Sequence, residues 1–111
     1  MTIFAKIIAR ELPADIVFEN SHVIGFKDIH PVAPHHILIV TKKEIPDLQS
    51  MKSEDLFLME EIVKAAQTIA KELNLEEGYR LVTNNGPIAG QQVSHLHFHL
   101  ISGKKLNGMC G

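Results

Sequence analysis

The sequence predicts an α+β fold, an antiparallel sheet of five strands with one long helix and one short one. Two observations predict it. Short links join the early strand segments as hairpins, which makes neighbouring strands antiparallel. One long helical stripe stands apart from the strands, between the third and the fourth.

Residues 2–11 read as a short amphipathic helix. Ile3, Phe4, Ile7 and Ile8 share a face at helical spacing, Thr2 stands at the N-cap, and Pro13 stops the helix. Residues 16–19 read as the first strand, Asn20-Ser21 as a turn, and residues 23–28 as the returning strand. Pro31 and Pro34 lack amide donors, so residues 29–34 are not a central strand. The apolar run 37–40 suits a strand covered on both faces. Residues 53–73 form the long helix, in which Leu56, Met59, Val63, Ala66, Ala70 and Leu73 make a core-facing stripe. Ser53 is its expected N-cap, Glu54 and Asp55 favour its positive end, and Asn74 and Gly78 offer a stop. Residues 79–83 read as a strand, 84–92 as a loop with Gly86, Pro87 and Gly90, and 93–102 as the last strand.

The chain of 111 residues has the size of one domain, and residues 1–111 are expected to form it, with 106–111 as a loose tail. The net charge of −2 gives no sign of a nucleic-acid-binding surface or a basic membrane patch. Cys110 is alone, so no intrachain disulfide forms, which fits a reducing compartment. Lys6, Arg10 and Glu11 interrupt the N-terminal apolar stretch, so it does not read as a secretory signal, and no apolar run has transmembrane length. A soluble cytoplasmic protein is expected.

The chemistry is concentrated in His95-Leu96-His97-Phe98-His99-Leu100-Ile101. In a strand, successive side chains point to opposite faces. His95, His97 and His99 then line one face, and Leu96, Phe98 and Leu100 fix the other to a core. Imidazole is a nucleophile, a proton carrier near pH 7 and a metal ligand. Burying three of them for packing alone would demand partners for every ring nitrogen.

Zinc is one possible occupant. His95 and His99 lie roughly 13 Å apart at Cα in an extended strand, which leaves both rings leaning sharply inward toward one ion. Two of the three histidines with His35 or His36 would hold a metal more easily. No Cys-x-x-Cys or His-Glu-x-x-His pattern supports such a site. Covalent catalysis on phosphorus fits better. One histidine attacks, and its neighbours orient it, donate to phosphate oxygens and handle the leaving-group proton. The preceding loop, residues 84–92, brings glycines whose amides can approach an anion and amide side chains that add donors.

The row resembles the histidine-triad motif, His-φ-His-φ-His-φ-φ, with every position filled. Supporting matches are Phe4-Ala5-Lys6-Ile7-Ile8 with Pro13, Asp28-Ile29, Ala33-Pro34-His35-His36, Gly78-Tyr79-Arg80, Asn84 and Gly90-Gln91. Together they run from Ile3 to about Lys105 and resemble the Hint branch of the histidine-triad superfamily, the histidine triad nucleotide-binding proteins.

The resemblance implies a HIT-like fold, a homodimer whose two sheets join into one, purine nucleotide binding, and hydrolysis of nucleoside 5′-phosphoramidates to the monophosphate. It makes His97 the nucleophile that carries a transient nucleotidyl group. His95 and His99 flank it, with His99 on phosphate, and His36 supports the site. Asp28 would accept from the ribose hydroxyls, and Ile29 would line the base pocket. Asn84, Gly90, Gln91, Gln92 and Val93 would surround ribose and phosphate. His35 has no matching role and is expected to be a partly exposed strand residue, like His22 and His30.

Two departures bear on specificity. Gln92 stands where a serine or threonine often contacts phosphate, and the tail 106–111 lacks an aromatic residue present in some animal relatives. Neither the motifs nor the resemblance requires a metal or cofactor, a nucleic acid or a membrane. The rival expectations are a dinucleoside polyphosphate hydrolase of the same superfamily, a nucleotide-binding protein with little turnover, and a zinc-binding module.

Overall fold

The computed structural model describes residues 1–108. The elements run α1 (Ile3–Ile8), β1 (Ile16–Glu19), β2 (Val23–Lys27), β3 (His35–Thr41), α2 (Phe57–Glu72), β4 (Arg80–Val82) and β5 (His97–Ser102). The strands form one sheet in the order β1-β2-β3-β5-β4, with every neighbouring pair antiparallel. The expected α+β architecture is therefore present.

Alternation divides the sheet into two faces. On one, Val23, Ile37, Ile39, Phe98 and Leu100 pack with Leu58, Ile62, Ala65 and Ile69 of α2, and Leu96 joins them. On the other, Ile24, Phe26, Leu38 and Val40 pack against Phe4 and Ile7 of α1. The apolar run in β3 serves both cores, which is why it alternates with nothing polar.

The ends of α1 follow from local chemistry. The Thr2 hydroxyl accepts from the Ala5 amide at 3.0 Å, as an N-cap does. The helix ends short of the expected residue 11. Arg10 adopts a left-handed conformation (φ 63°), Glu11 N–H reaches Lys6 O at 2.8 Å and Arg10 N–H reaches Ile7 O at 3.0 Å. This is a Schellman closure with arginine in the position glycine usually takes. An ion pair from Arg10 to Glu19 holds it. Asn74 (φ 59°) ends α2 by the same device, with Leu75 N–H on Ala70 O at 2.7 Å.

The start and the buried face of α2 differ from expectation. Ser53 is not the N-cap of an α-helix. It opens a single 3₁₀ turn, Ser53–Asp55, and Asp55 provides the anchor, accepting from Lys52 N–H at 3.0 Å and from Lys43 Nζ at 2.5 Å. Leu56 and Val63 are exposed, and Met59 and Leu73 only border the core. The buried stripe is Leu58, Ile62, Ala65, Ala66, Ile69 and Ala70. Ala66 and Ala70 are buried as expected, and the sheet beneath selects Leu58, Ile62 and Ile69 over Leu56, Met59 and Val63.

The last strand is also shorter than expected. The chain bends at 93–95, Leu96 N–H turns to Ile45 O at 2.7 Å, and the ladder begins with Val40 opposite His97. β3 ends one residue later at Thr41, so no strand remains for His95 to pair with. Arg80 donates to the Asn107 carbonyl, and the tail expectation for 109–111, with Cys110, lies outside the described residues. Among the described residues no helix is long and apolar enough to cross a membrane.

Candidate functional site

A cavity of about 600 Å³ opens between α1 and the sheet face it covers. That volume is within the range of small-ligand sites. Ile3, Phe4, Ile7, Leu12, Phe26 and Leu38 line it with apolar surface. Asp28, Asn84, Gln92, His97 and His99 add polar groups. A flat apolar group and a polar, anionic group on one ligand would both find partners here.

The histidines are placed by β5 and β3. His97 and His99 face α1, and the Phe4 ring stands edge-on to His97 with centroids 4.9 Å apart. His36, on β3, lies diagonally across the ladder from His99, which opposes Leu38. Hydrogen-bond partners fix where each proton resides. His97 Nδ1 is 2.6 Å from the His95 carbonyl, which only accepts, so the Nδ1–H donates and the lone pair is on Nε2. His36 Nδ1 accepts from Val32 N–H at 3.2 Å, so its proton is on Nε2. That Nε2–H points at His99 Nδ1, 2.8 Å away, and leaves the His99 proton on its own Nε2. The row thus combines a lone pair at His97 with a donor at His99.

Burial favours the neutral form of these rings. It lowers the pKa of His97, against the opposing hydrogen bond to the His95 carbonyl. His99 is pushed down to about 4, first by burial and then by His97 and His36 beside it. His36 is also lowered by burial, with the Asp28 carboxylate opposing. Asp28 Oδ2 lies 3.4 Å from His36 Nε2, and its Oδ1 accepts from His30 N–H at 2.8 Å.

The structure brings together most of the residues singled out in the sequence. Asp28, Ile29, Asn84, Gly90, Gln92, Val93, His97 and His99 line the cavity. His36, His95 and Gln91 do not. His36 reaches the cavity lining through its hydrogen bond to His99. His95 is fully buried and outside the strand, so it is not part of an exposed row. Its Nε2–H donates to Thr41 O at 2.8 Å, and Nδ1 faces Thr2 Oγ1 at 2.9 Å. Gln91 braces the loop: Oε1 accepts from Gly86 N–H at 2.7 Å, and Nε2 donates to Pro46 O and Val93 O. The amides of Ala89, Gly90 and Gln91 are likewise bonded to Gly86 and Pro87 carbonyls. The loop is a self-braced turn, with Gly86 and Gly90 both at positive φ, rather than an open nest of amides for an anion.

Sequence reasoning put Ile3, Phe4, Ile7 and Ile8 on one helical face and did not identify that face as a cavity wall. The usable signal was Ile3, Phe4 and Ile7 on one helical face, in a chain whose remaining apolar segments already fill a core. Asp28, His36 and His99 also bring one ligand atom each within 4.8 Å of one another. A cation there would have to displace the hydrogen bond between His36 and His99.

Comparison with known proteins gives a consistent result. The family model described as HIT domain matches residues 9–106. An uncharacterized HIT-like protein of Synechococcus elongatus is 46% identical over 105 residues, covering 95% of this chain and 92% of the relative. A HIT family hydrolase from Clostridium thermocellum superposes with a TM-score of 0.95 at 43% identity, covering 98% of this chain and 96% of that one. A histidine triad nucleotide-binding protein from Candida albicans superposes with a TM-score of 0.83 at 31% identity, covering 100% of this chain and 86% of that one.

Proposed function

This chain belongs to the HIT domain family, and on that premise we propose that it is a nucleotide hydrolase of the Hint branch, cleaving the P–N bond of purine nucleoside 5′-phosphoramidates. The observation that carries the proposal is the His97 ring. Its Nδ1–H is committed to the His95 carbonyl, and its unprotonated Nε2 belongs to a residue lining the cavity. Similarity to proteins described as a HIT family hydrolase and a histidine triad nucleotide-binding protein supports the same chemistry.

The Nε2 lone pair of His97 attacks the α-phosphorus, the P–N bond breaks, and the amine departs with a proton taken from solvent. Water then attacks the phosphorus of the nucleotidyl-histidine, the P–Nε2 bond breaks, and the nucleoside monophosphate leaves. As positive charge develops on the attacking ring, the His95 carbonyl stabilises it through Nδ1–H. His99 Nε2–H donates to a phosphate oxygen, and His36 holds His99 in the tautomer that can do so. The apolar wall of Ile3, Phe4 and Ile7 takes the base with Ile29. Asp28 accepts from the ribose, and Asn84, Gln92 and Val93 border ribose and phosphate.

The chain works as a cytoplasmic homodimer, joined through the open edge of β4 into a ten-stranded sheet. The edge position of β4 supports the joint, and sedimentation tests it. The activity is tested by incubation with adenosine 5′-phosphoramidate and measurement of AMP. His97→Ala should lower turnover by at least about a thousandfold, as loss of a nucleophile does. Undiminished turnover by that variant would sink the mechanism. Hydrolysis of diadenosine polyphosphates in preference to the phosphoramidate would reassign the leaving group.

A further inference from the structure

The cap of α1 and the histidine row share one hydroxyl. Thr2 Oγ1 accepts from Ala5 N–H at 3.0 Å and lies 2.9 Å from His95 Nδ1. His95 has no exposed surface, so water does not replace either ring partner. Its Nε2 faces the Thr41 carbonyl at 2.8 Å. The opposite tautomer would set a nitrogen lone pair against that carbonyl, so the proton belongs on Nε2 and Nδ1 must accept. The hydroxyl is the donor that Nδ1 requires, and its own acceptor side is already used by Ala5. Donors and acceptors therefore run in one direction, from Ala5 N–H through Thr2 and His95 to Thr41 O.

We propose that Thr2 is a positioning residue for the nucleophile: its hydroxyl sets the tautomer and place of His95, whose carbonyl in turn holds His97 Nδ1–H. The strand ladder does not do this work, because it begins only at His97. Residue 95 is held instead by its amide on Val93 O and by the two ends of its ring. A carbonyl displaced by a few tenths of an ångström from its 2.6 Å contact would free the His97 ring to turn or to move its proton to Nε2, where it blocks attack. The role is particular to a residue that both caps a helix and donates. α1 is also the apolar wall of the cavity, so the same hydroxyl sets wall and nucleophile in one register.

The inference rests on His97 as nucleophile, and three variants test it with two readouts. Thr2→Ser keeps both bonds and should match the parent chain. Thr2→Val removes the donor, and kcat should fall about tenfold with KM little changed, the loss of one neutral hydrogen bond converted to rate. Thr2→Asp still caps the helix, so its thermal midpoint should stay near that of the parent. Its carboxylate only accepts, so it should draw a proton onto His95 Nδ1 and lower kcat at least as far as valine does. Ring ¹⁵N shifts of His95 and His97 report the tautomers without substrate. Parent-like shifts and kcat in both Thr2→Val and Thr2→Asp would overturn the proposal. So would a loss in Thr2→Asp that tracks only its thermal midpoint. A parent chain with no turnover would sink the proposed activity, and the nitrogen shifts would still decide the role of Thr2.

Discussion

Acid should silence this site later than it silences a free imidazole, and Asp28 should set how late. Attack needs the His97 lone pair, so activity falls as Nε2 takes a proton. Burial holds the His97 pKa below the ordinary 6.5, so the acid limb of kcat/KM should lie below pH 6.5. Beneath it the rate should drop about tenfold per pH unit. His99 titrates at about 4, so at pH 6, two units higher, only about 1% of it carries a second proton. The limb near neutrality therefore reports His97, and His99 adds a steeper fall only in stronger acid. The Asp28 carboxylate favours the protonated form of His36, His97 and His99 alike. Asp28→Asn removes that charge, all three rings become harder to protonate, and the limb should move to lower pH. The same variant should raise KM, because the proposed ribose contact exchanges a charged carboxylate for a neutral amide with one accepting oxygen. The assay is chromatographic AMP release between pH 4.5 and 8. His97→Ala serves as the blank, since P–N bonds hydrolyse unaided in acid. A limb at or above pH 6.5 in the parent chain, or one that moves upward in Asp28→Asn, would refute the reasoning.

The same rings make the fold sensitive to acid. Above about pH 6.5 His36, His97 and His99 are neutral in both folded and unfolded chains, and full stability is present. As pH falls from 6.5 toward 4 the unfolded chain takes up protons first, so the thermal midpoint should drop across that window. His99→Gln should shrink the drop, as calorimetry at pH 7.5 and 4.5 would show, and an equal drop in both chains would rule His99 out. In the core, Leu100 is fully buried between Ile37 and Leu81 in the ladder. Leu100→Ala should cost about 2–5 kcal/mol in denaturant titration, and a cost under about 1 kcal/mol would mean that the α2 face collapses around the gap.

Much of this arrangement was legible in the chain. The strands expected at 16–19, 23–28 and 37–40 appear at Ile16–Glu19, Val23–Lys27 and His35–Thr41, and the alternating row within 93–102 supplies the shorter strand His97–Ser102. Asn20 as a turn residue is explained by its Oδ1, which accepts from the amides of His22 and Val23. What failed was any choice between patterns of equal period. Leu56-Met59-Val63 and Leu58-Ile62-Ile69 both suit a helix, and only the sheet beneath decides which is buried. Pro13 seemed to end α1, yet a Schellman closure at Arg10 acts first, because the Glu19 carboxylate waiting beside it is distant in sequence. The apolar face of α1 was equally ambiguous, since core and cavity wall use the same residues.

The histidine row shows why equal spacing does not mean equal roles. Alternation in sequence put three imidazoles on one strand face. The ladder starts between the first and the second, and that boundary separates them. His95, outside the ladder, can turn its carbonyl toward the next ring, which a fully paired strand residue would have committed to its neighbour. His97 and His99, inside the ladder, are held rigidly enough for one to expose a lone pair while the other is locked by His36. Extending β5 back to His95 would restore the symmetry and remove the carbonyl that fixes His97. The asymmetry that directs the proposed attack is thus produced where the strand stops, by Leu96 turning to Ile45.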